Sequence, residues 1–311
     1  MGKISLDFMT KPANPQSLKR FSDSLASLFK ETKSEKTDLL FIKSSSDHGV
    51  ERNGGRNGAR FAPQSLLTSF KRLTKSAPWN EVTIQEVEVA SYAEEIKDFK
   101  QAQKNQEQKI FDHLGSLPHP SICHIGGGHD HVFPLLSALY QKYEQVIVVN
   151  IDAHADTRTD EEANSGTPFR QFAAINPKKF QLFQIGLHPF ANSASTLAPL
   201  PSPMHVLWRN ELTKSKLDDF FTKIQTYVTP KTVVVFSLDA DALHGSEMGA
   251  VSAVNGDGLS MKELDDLWQR YKQLSVSHQP VMGIYELNPV YDSLSALSMR
   301  VISTFLYKSL V

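Results

Sequence analysis

Two apolar runs in this chain, residues 146–149 and 233–236, lead directly into acidic and histidine residues. An uninterrupted apolar run rich in valine is typical of a strand buried on both faces of a parallel sheet. Successive side chains of a strand point to opposite sides, so residues two positions apart project together. Because the carboxyl ends of parallel strands meet at one edge, the pattern predicts an α/β fold with a polar site at that edge.

The candidate metal ligands follow these two runs and a third short strand that contains Ile122 and Ile125. They are His129, Asp152, His154, Asp156, Asp239 and Asp241. Three glycines before His129 let the backbone turn sharply ahead of a helix. Taken alone, His129 could be a turn or capping residue, and Asp239 and Asp241 could cap a helix. Three strand ends with the same chemistry favour one shared metal site.

The donor atoms predict the kind of metal. Imidazole and carboxylate without a thiolate suit a divalent ion such as manganese better than a structural zinc. Four aspartates carry more negative charge than one such ion normally needs, so we expect two ions bridged by shared carboxylates. Two adjacent metals activate a water molecule and hold its target together, which is the chemistry of a hydrolase.

Five segments, in this order along the chain, resemble a known family. They are residues 49–59, Gly127-Gly128-His129, residues 152–156, residues 237–241 and residues 286–289. Through them the chain resembles the ureohydrolases, the arginase and agmatinase superfamily, and most closely the formimidoylglutamases. The resemblance extends from about residue 47 to residue 290. It implies a single domain over residues 1–311, with a three-layer α/β/α fold around a central, mainly parallel sheet.

The resemblance also implies how two manganese ions are held in each subunit. One ion takes His129, Asp152, Asp156 and Asp239. The other takes Asp152, His154, Asp239 and Asp241, so that Asp152 and Asp239 bridge the pair.

Asp156 and Glu286 are the catalytic candidates. The resemblance implies that a hydroxide between the ions attacks an amidine or guanidine carbon and that Asp156 holds it in line. Glu286 matches the acidic residue that binds the substrate's nitrogens in this family. A carboxylate suits that task because it accepts paired hydrogen bonds from a planar amidinium.

The segment around Ser165 bears on the choice of substrate. Arginases and agmatinases have a histidine, assigned to proton transfer, at the position of Ser165. Residues 165–169 are instead similar to formimidoylglutamases, although Ser-Gly and Thr-Pro are also common loop formers. We therefore expect a formimidoylglutamase that converts N-formimino-L-glutamate into L-glutamate and formamide, a step of histidine degradation. The alternatives are an agmatinase or other guanidino hydrolase releasing urea, a catalytically silent metal-binding relative and, more remotely, a deacetylase of related fold.

Three arginines, Arg56, Arg158 and Arg170, are candidates for binding the two carboxylates of that substrate, together with Ser165. The planar guanidinium group pairs well with a carboxylate. Each arginine could equally be a solvated surface residue. The loop after Asp241 departs from the family pattern, and its His244 is a hypothetical replacement for the missing proton shuttle, with an exposed loop histidine as the alternative.

Composition favours an ordinary globular enzyme. The chain has 311 residues and a net charge of −1, which gives no basic excess for nucleic acid. A single cysteine, Cys123, excludes an internal disulfide and falls in an expected strand, where an inert thiol is the simpler interpretation. No apolar run reaches membrane-spanning length, and the patch between Lys3 and Lys11 is too short for a signal peptide. We expect a cytoplasmic enzyme with a small-molecule substrate, and a homo-oligomer stays open.

Strand and helix patterns alternate along the chain, as a doubly wound sheet requires. A strand is expected at residues 39–42, a helix from Phe99 to Leu114 and a final helix from Ser293 to Leu310. Apolar residues between Leu18 and Phe29 also recur at helical spacing.

Overall fold

A computed structural model describes residues 20–30, 36–117 and 120–311. Leu18, Lys3 and Lys11, on which two of the sequence predictions depend, lie outside these residues. No helix in the described part has the length and apolar character needed to cross a membrane.

One eight-stranded sheet forms the centre of the described structure, and every pair of neighbouring strands runs parallel. The strands are β1 Leu39–Ser45, β2 Ile84–Ser91, β3 Ser121–Ile125, β4 Gln145–Ile151, β5 Phe180–Leu187, β6 Met204–Trp208, β7 Thr232–Asp239 and β8 Val281–Tyr285. Their order across the sheet is β2-β1-β3-β8-β7-β4-β5-β6. The predicted parallel α/β architecture is therefore confirmed.

Helices cover both faces of this sheet. They are α1 His48–Arg52, α2 Ala62–Lys71, α3 Tyr92–Glu95, α4 Phe99–Ser116, α5 Val132–Tyr140, α6 Pro168–Ile175, α7 Lys214–Tyr227, α8 Met261–Lys272 and α9 Leu297–Ser309. One apolar core joins alternate strand residues such as Val149 and Phe236 to α2, α7, α8 and α9. The other core joins residues such as Val148 and Val235 to α4, α5 and α6. Burial on both faces explains why the central strands read as continuous apolar runs.

The strand register brings the predicted site together. Asn150 pairs with Ser237 and Ile151 with Leu238, so the segments that follow β4 and β7 leave the sheet side by side. On the other side of β7, Asp239 pairs with Tyr285, which places Glu286 next to the same edge. Strand β3, which leads to His129, pairs with β8. Four strand ends therefore converge on one region.

Two local predictions differ from the structure. The final helix begins at Leu297 rather than at Ser293, because Asp292 accepts hydrogen bonds from the amides of Ser298 and Met299 and so caps a later start. The helical spacing before β1 corresponds within the described residues to α-helical residues 20–22 and, after a break at residues 23 and 24, to a short 3-10 helix, Leu25–Leu28. Phe29 then leaves the helical path and forms a bridge with Ile84.

Cys123 is fully buried in β3, as expected, and burial raises the pKa of its thiol.

Candidate metal centre

The imidazole of His129 lies at the centre of a group of three carboxylates. Its Nδ1 atom is 2.9 Å from Asp156 Oδ2, 3.2 Å from Asp239 Oδ2 and 3.3 Å from Asp152 Oδ2. The ligand atoms of these four residues all lie within 4.8 Å of one another, and all four side chains are buried. Four donors converging on one point is the arrangement that a bound divalent ion requires.

A second group adjoins the first and shares Asp152 with it. His154 Nδ1 is 3.1 Å from Asp241 Oδ2 and 3.8 Å from Asp152 Oδ1. The second group consists of Asp152, His154 and Asp241. Asp239 instead turns Oδ2 toward His129, while its Oδ1 accepts a hydrogen bond from the amide of Asp241 at 2.9 Å. The structure thus brings together all six predicted ligands, and a bridging role for Asp239 stays a prediction.

Unusual backbone conformations occur at two of the predicted site residues. Asp156 has a φ of 51° and Glu286 a φ of 61°, both in the left-handed region that side chains other than glycine rarely adopt. Such a conformation costs about 1–3 kcal/mol and persists only where the surroundings enforce it. Ala296 is the other non-glycine residue with positive φ among the described residues. The strain therefore concentrates at the site, where it aims both carboxylates inward.

The close packing of buried carboxylates shifts the pKa values of the groups in the site. Burial, together with the neighbouring charge of Asp156, raises the pKa of Asp152 to about 6. Burial and the charges of Asp241 and Asp152 raise the pKa of Asp239 well above its usual value. The charge of Asp241 raises the pKa of His154 to about 11. These groups retain protons more strongly than usual because several carboxylates are buried close together.

The donor atoms fit a pair of divalent ions. The two groups offer imidazole nitrogens and carboxylate oxygens without sulfur, the set that suits manganese. Asp241 Oδ1 is buried without a hydrogen-bond partner, although its other oxygen contacts His154. A bound ion would satisfy this atom and replace the protons that the carboxylates otherwise retain.

Polar side chains behind the ligands hold them in place. Ser237 Oγ lies 2.9 Å from His129 Nε2, and the Asn150 amide donates to Asp152 Oδ2 at 3.1 Å. Asn192 accepts from the amide of Ala155 at 2.7 Å and donates to the carbonyl oxygen of Ala153 at 2.9 Å. These supporting residues were not predicted from the sequence. Ser237 and Asn150 precede ligands by two positions in their strands, so strand alternation could have identified them, whereas Asn192 lies in a loop without such a signal.

A cavity of about 410 Å³ opens onto the two groups. Its wall includes the ligands His154, Asp156, Asp239 and Asp241, together with Glu286. It also includes Arg56, Arg158 and Ser165, three of the four predicted substrate-binding residues. Asn53, which the sequence analysis did not single out, lines the wall and donates a hydrogen bond to Ser165 Oγ at 3.2 Å.

Arg170 and His244 are not among the described residues that line this cavity. The Arg170 guanidinium donates to the carbonyl oxygens of Thr157, Ala198 and Pro199, at 2.7, 2.8 and 3.2 Å. Arg170 therefore joins two loops. His244 is half-buried, and its Nδ1 contacts Ser246 Oγ at 2.7 Å within its own loop.

A third group of buried side chains lies beside the metal centre. It contains Glu95 from the end of α3, and Asp130 and His131 from the 3-10 helix His129–His131. All three residues are at most 1% exposed, and they do not line the cavity. The sequence analysis singled out none of them.

Comparisons with known proteins agree with this geometry. The model of the arginase family matches residues 44–311. The formimidoylglutamase of Photorhabdus laumondii is 28% identical over 255 residues, which cover 79% of this chain and 77% of that protein. The formimidoylglutamase of Salmonella heidelberg is 29% identical over 213 residues, 67% of this chain and 64% of that protein.

Solved structures of similar proteins have the same fold. The formiminoglutamase of Trypanosoma cruzi, solved with an Mn²⁺ pair, superposes with a TM-score of 0.74 at 26% identity, covering 92% of this chain and 97% of that one. The formimidoylglutamase of Bacillus subtilis superposes with a TM-score of 0.82, covering 99% and 95%, but at 17% identity it bears on the fold alone. With the family match extending from residue 44 to the last residue, this chain belongs to the arginase family.

Proposed function

We propose that this protein is a manganese-dependent formimidoylglutamase, which hydrolyses N-formimino-L-glutamate to L-glutamate and formamide. The observation that carries the proposal is the joining of two groups of metal ligands to a cavity whose wall presents Glu286, Ser165 and Arg158. Similarity to formimidoylglutamases supports the choice of substrate. The reaction adds water across the bond between the formimino carbon and the glutamate nitrogen, and the nitrogen leaves with a proton.

His129, Asp152, Asp156 and Asp239 would hold one manganese ion, and Asp152, His154 and Asp241 the other, with Asp239 a candidate second bridge. When bound, the ion pair supplies the positive charge that lets water attack an amidine carbon near neutral pH. Asp156 is the candidate for holding the water in line, because it belongs to the first group of ligands and its carboxylate lies at the cavity wall.

Glu286 is positioned to bind the amidine. Its Oε1 accepts a hydrogen bond from the amide of His129 at 3.0 Å, which fixes the carboxylate in the cavity wall. Burial raises the pKa of Glu286 to about 8. A cationic amidinium lowers that pKa again and pairs with the ionised carboxylate. The residue thus favours a planar cation over a neutral ligand.

Of the two arginines in the wall, Arg158 is the better partner for a substrate carboxylate. Arg56 donates to the carbonyl oxygens of Val251 and Ser252, at 2.6 and 3.0 Å, and its guanidinium stacks on Tyr291. These contacts tie Arg56 to the cavity loop. Arg158 forms an ion pair through Nε with Asp160 at 2.9 Å, and about half of its side chain, 48%, is exposed. Its terminal nitrogens can therefore reach a ligand.

The proposed activity is a step of histidine degradation, in which formiminoglutamate arises. We propose the cytoplasm as the compartment of the enzyme. A reducing compartment agrees with the single buried thiol. We also propose that the chain acts as a single domain over residues 1–311.

Product analysis tests the substrate. Formiminoglutamate, agmatine, arginine and guanidinobutyrate would be supplied separately to the manganese-loaded protein, and formamide, glutamate and urea measured. We expect formamide and glutamate from the first compound alone. Urea from any of the other three would replace the proposal with a guanidino hydrolase. No product from all four would favour the catalytically silent relative.

A metal-ligand variant tests the site. The double substitution Asp152→Asn and Asp239→Asn should remove both ions of the pair and all turnover, because Asp152 belongs to both groups of ligands and Asp239 to the first. Asp112→Asn, at an exposed position of α4, is the matched control and should keep both. Turnover retained in the double variant would refute the two-metal site.

A further inference from the structure

We propose that Glu95, Asp130, His131 and Gln106 form a third divalent-cation site, buried beside the metal pair and closed to the substrate cavity. The proposed function does not require this ion. The inference starts from three oxygen atoms that have no hydrogen-bond partner: Glu95 Oε1 and both carboxylate oxygens of Asp130. Both residues are 1% exposed, so bulk solvent does not reach these atoms. A buried carboxylate oxygen without a donor is costly unless a cation lies against it.

The unpartnered oxygens of Glu95 and Asp130 lie near the same nitrogen atom, His131 Nδ1. Glu95 Oε1 is 3.7 Å from His131 Nδ1, and Asp130 Oδ2 is 4.0 Å from the same atom. The three ligand atoms lie within 4.8 Å of one another. The other oxygen of Asp130 is enclosed by backbone, since a Cβ added at Gly49 or Gly128 would lie 2.1 or 2.3 Å from Oδ1. Oδ2 is therefore the atom left to face a cation.

The hydrogen bonds of His131 prepare its Nδ1 atom as a ligand. His131 Nε2 lies 3.0 Å from the carbonyl oxygen of Ser46, which can only accept, so Nε2 carries a hydrogen. A neutral imidazole with hydrogen on Nε2 has its lone pair on Nδ1. A backbone carbonyl that fixes the ring in this way is the usual support of a metal-binding histidine. The lone pair then points toward the two free carboxylates.

Gln106 supplies a fourth donor. Its amide nitrogen donates to Ser44 Oγ at 2.7 Å, which leaves its oxygen facing His131 Nδ1 at 3.0 Å. Two acceptors at this distance repel each other unless a proton or a cation joins them. A metal ion would make both atoms ligands and would also bind the carboxylates, whereas a proton on Nδ1 would form a hydrogen bond with Gln106 and leave the carboxylate oxygens 3.7 and 4.0 Å away.

Charge favours the ion as well. In a metal-bound state, two ionised carboxylates and a neutral imidazole would carry two negative charges, which one divalent ion would balance. The neighbouring acid Asp47 is already neutralised by Arg60, whose Nε lies 2.6 Å from it. The nearby His124 contributes no cation, because burial lowers its pKa well below the usual value. Carboxylate, amide and imidazole donors suit Mn²⁺, and the amide oxygen is also compatible with Mg²⁺ or Ca²⁺.

The ion would join elements that the catalytic pair does not reach. Glu95 ends α3, Gln106 lies in α4, and Asp130 and His131 belong to the 3-10 helix that starts with the ligand His129. We therefore assign the site a structural role, in which it fixes the segment that presents His129. Such an ion should exchange slowly, because no ligand of the site is exposed.

Metal counting tests the proposal. Wild-type protein saturated with Mn²⁺ would be dialysed, and Mn, Mg, Ca and Zn per chain measured by mass spectrometry. Crystals of the same protein would be examined for anomalous scattering at the manganese edge and for metal-like density between Glu95 and His131. We expect three divalent ions per wild-type chain, two in Glu95→Gln, and density at the third site. Asp241→Asn is the matched control, since it should lose an ion of the pair and keep the buried one.

The outcomes separate clearly. Two ions per chain in the wild type, with no metal density at Glu95 and His131, would overturn the proposal and leave a protonated His131 between the carboxylates. If Glu95→Gln fails to fold, the wild-type count and the diffraction decide by themselves. Absence of turnover on formiminoglutamate would refute the proposed function and leave this test unaffected.

Discussion

Replacing Asn192 with alanine should weaken both the fold and metal binding, although Asn192 is not a metal ligand. Its side chain is 7% exposed and contacts the loop that carries Asp152, His154 and Asp156. The amide hydrogen of Ala155 donates to Asn192 Oδ1 at 2.7 Å. Nδ2 donates to the carbonyl oxygens of Ala153 and His188, both at 2.9 Å. Asn192→Ala removes all three hydrogen bonds at once.

The losses are unequal. The carbonyl oxygens of Ala153 and His188 each keep a second donor, the amides of His188 and Ala191, both at 3.1 Å. The buried amide of Ala155 loses its acceptor, which costs about 1–3 kcal/mol. Loss of the two hydrogen bonds donated by Nδ2 adds a smaller cost, so we expect a total destabilisation of about 2–4 kcal/mol. Loosening a loop with three ligands should also lower manganese affinity by about 10–100-fold, the usual effect of removing a support behind a metal ligand.

Urea unfolding of the metal-free protein and calorimetric titration with Mn²⁺ measure the two effects. Asn105→Ala is the matched control, because Asn105 lies on the exposed face of α4 and accepts its hydrogen bond from Gln101 there. The control should change stability by no more than about 0.5 kcal/mol. If Asn192→Ala behaves like Asn105→Ala in both measurements, the reasoning about this support is wrong.

Three further predictions concern the cavity, the metal and the backbone. Arg158→Gln should raise KM for formiminoglutamate by about 10–100-fold with little change in kcat, through loss of a charge-assisted hydrogen bond; an unchanged KM in steady-state kinetics would exclude Arg158 from carboxylate binding. Because burial and Asp156 raise the pKa of Asp152 to about 6, the metal-free carboxylate keeps its proton below that pH. Manganese affinity should therefore fall as pH decreases through 6, and calorimetry showing equal affinity on both sides of that pH would contradict this. Gly127→Ala would place a Cβ 1.7 Å from the backbone oxygen of Ser46 and should lower the free energy of unfolding by about 1–3 kcal/mol or more. The Cβ of Gly115→Ala would meet nothing within 4 Å, so this control should raise the free energy of unfolding by about 0.5–1 kcal/mol. Thermal unfolding measures both changes.

The fold followed from local patterns because its central strands are buried on both faces. The runs at residues 146–149 and 233–236 could be recognised without tertiary information, and they occupy β4 and β7 in the structure. The start of the last helix could not, since it depends on the capping of Ser298 and Met299 by Asp292. Helix ends of this kind are decided by one side chain rather than by periodicity.

The sequence by itself determined the chemistry at the strand ends. Spacing by two along a strand is a local property, so Asp152 and Asp239 could be assigned to one edge before the order of strands was known. Only the tertiary structure decided what surrounds that edge. Arg158 lines the cavity while Arg170 holds two loops, and Glu95 meets His131 beside the metal centre. These side chains come from segments far apart in the chain, and their meeting depends on sheet order and loop paths that no local pattern encodes.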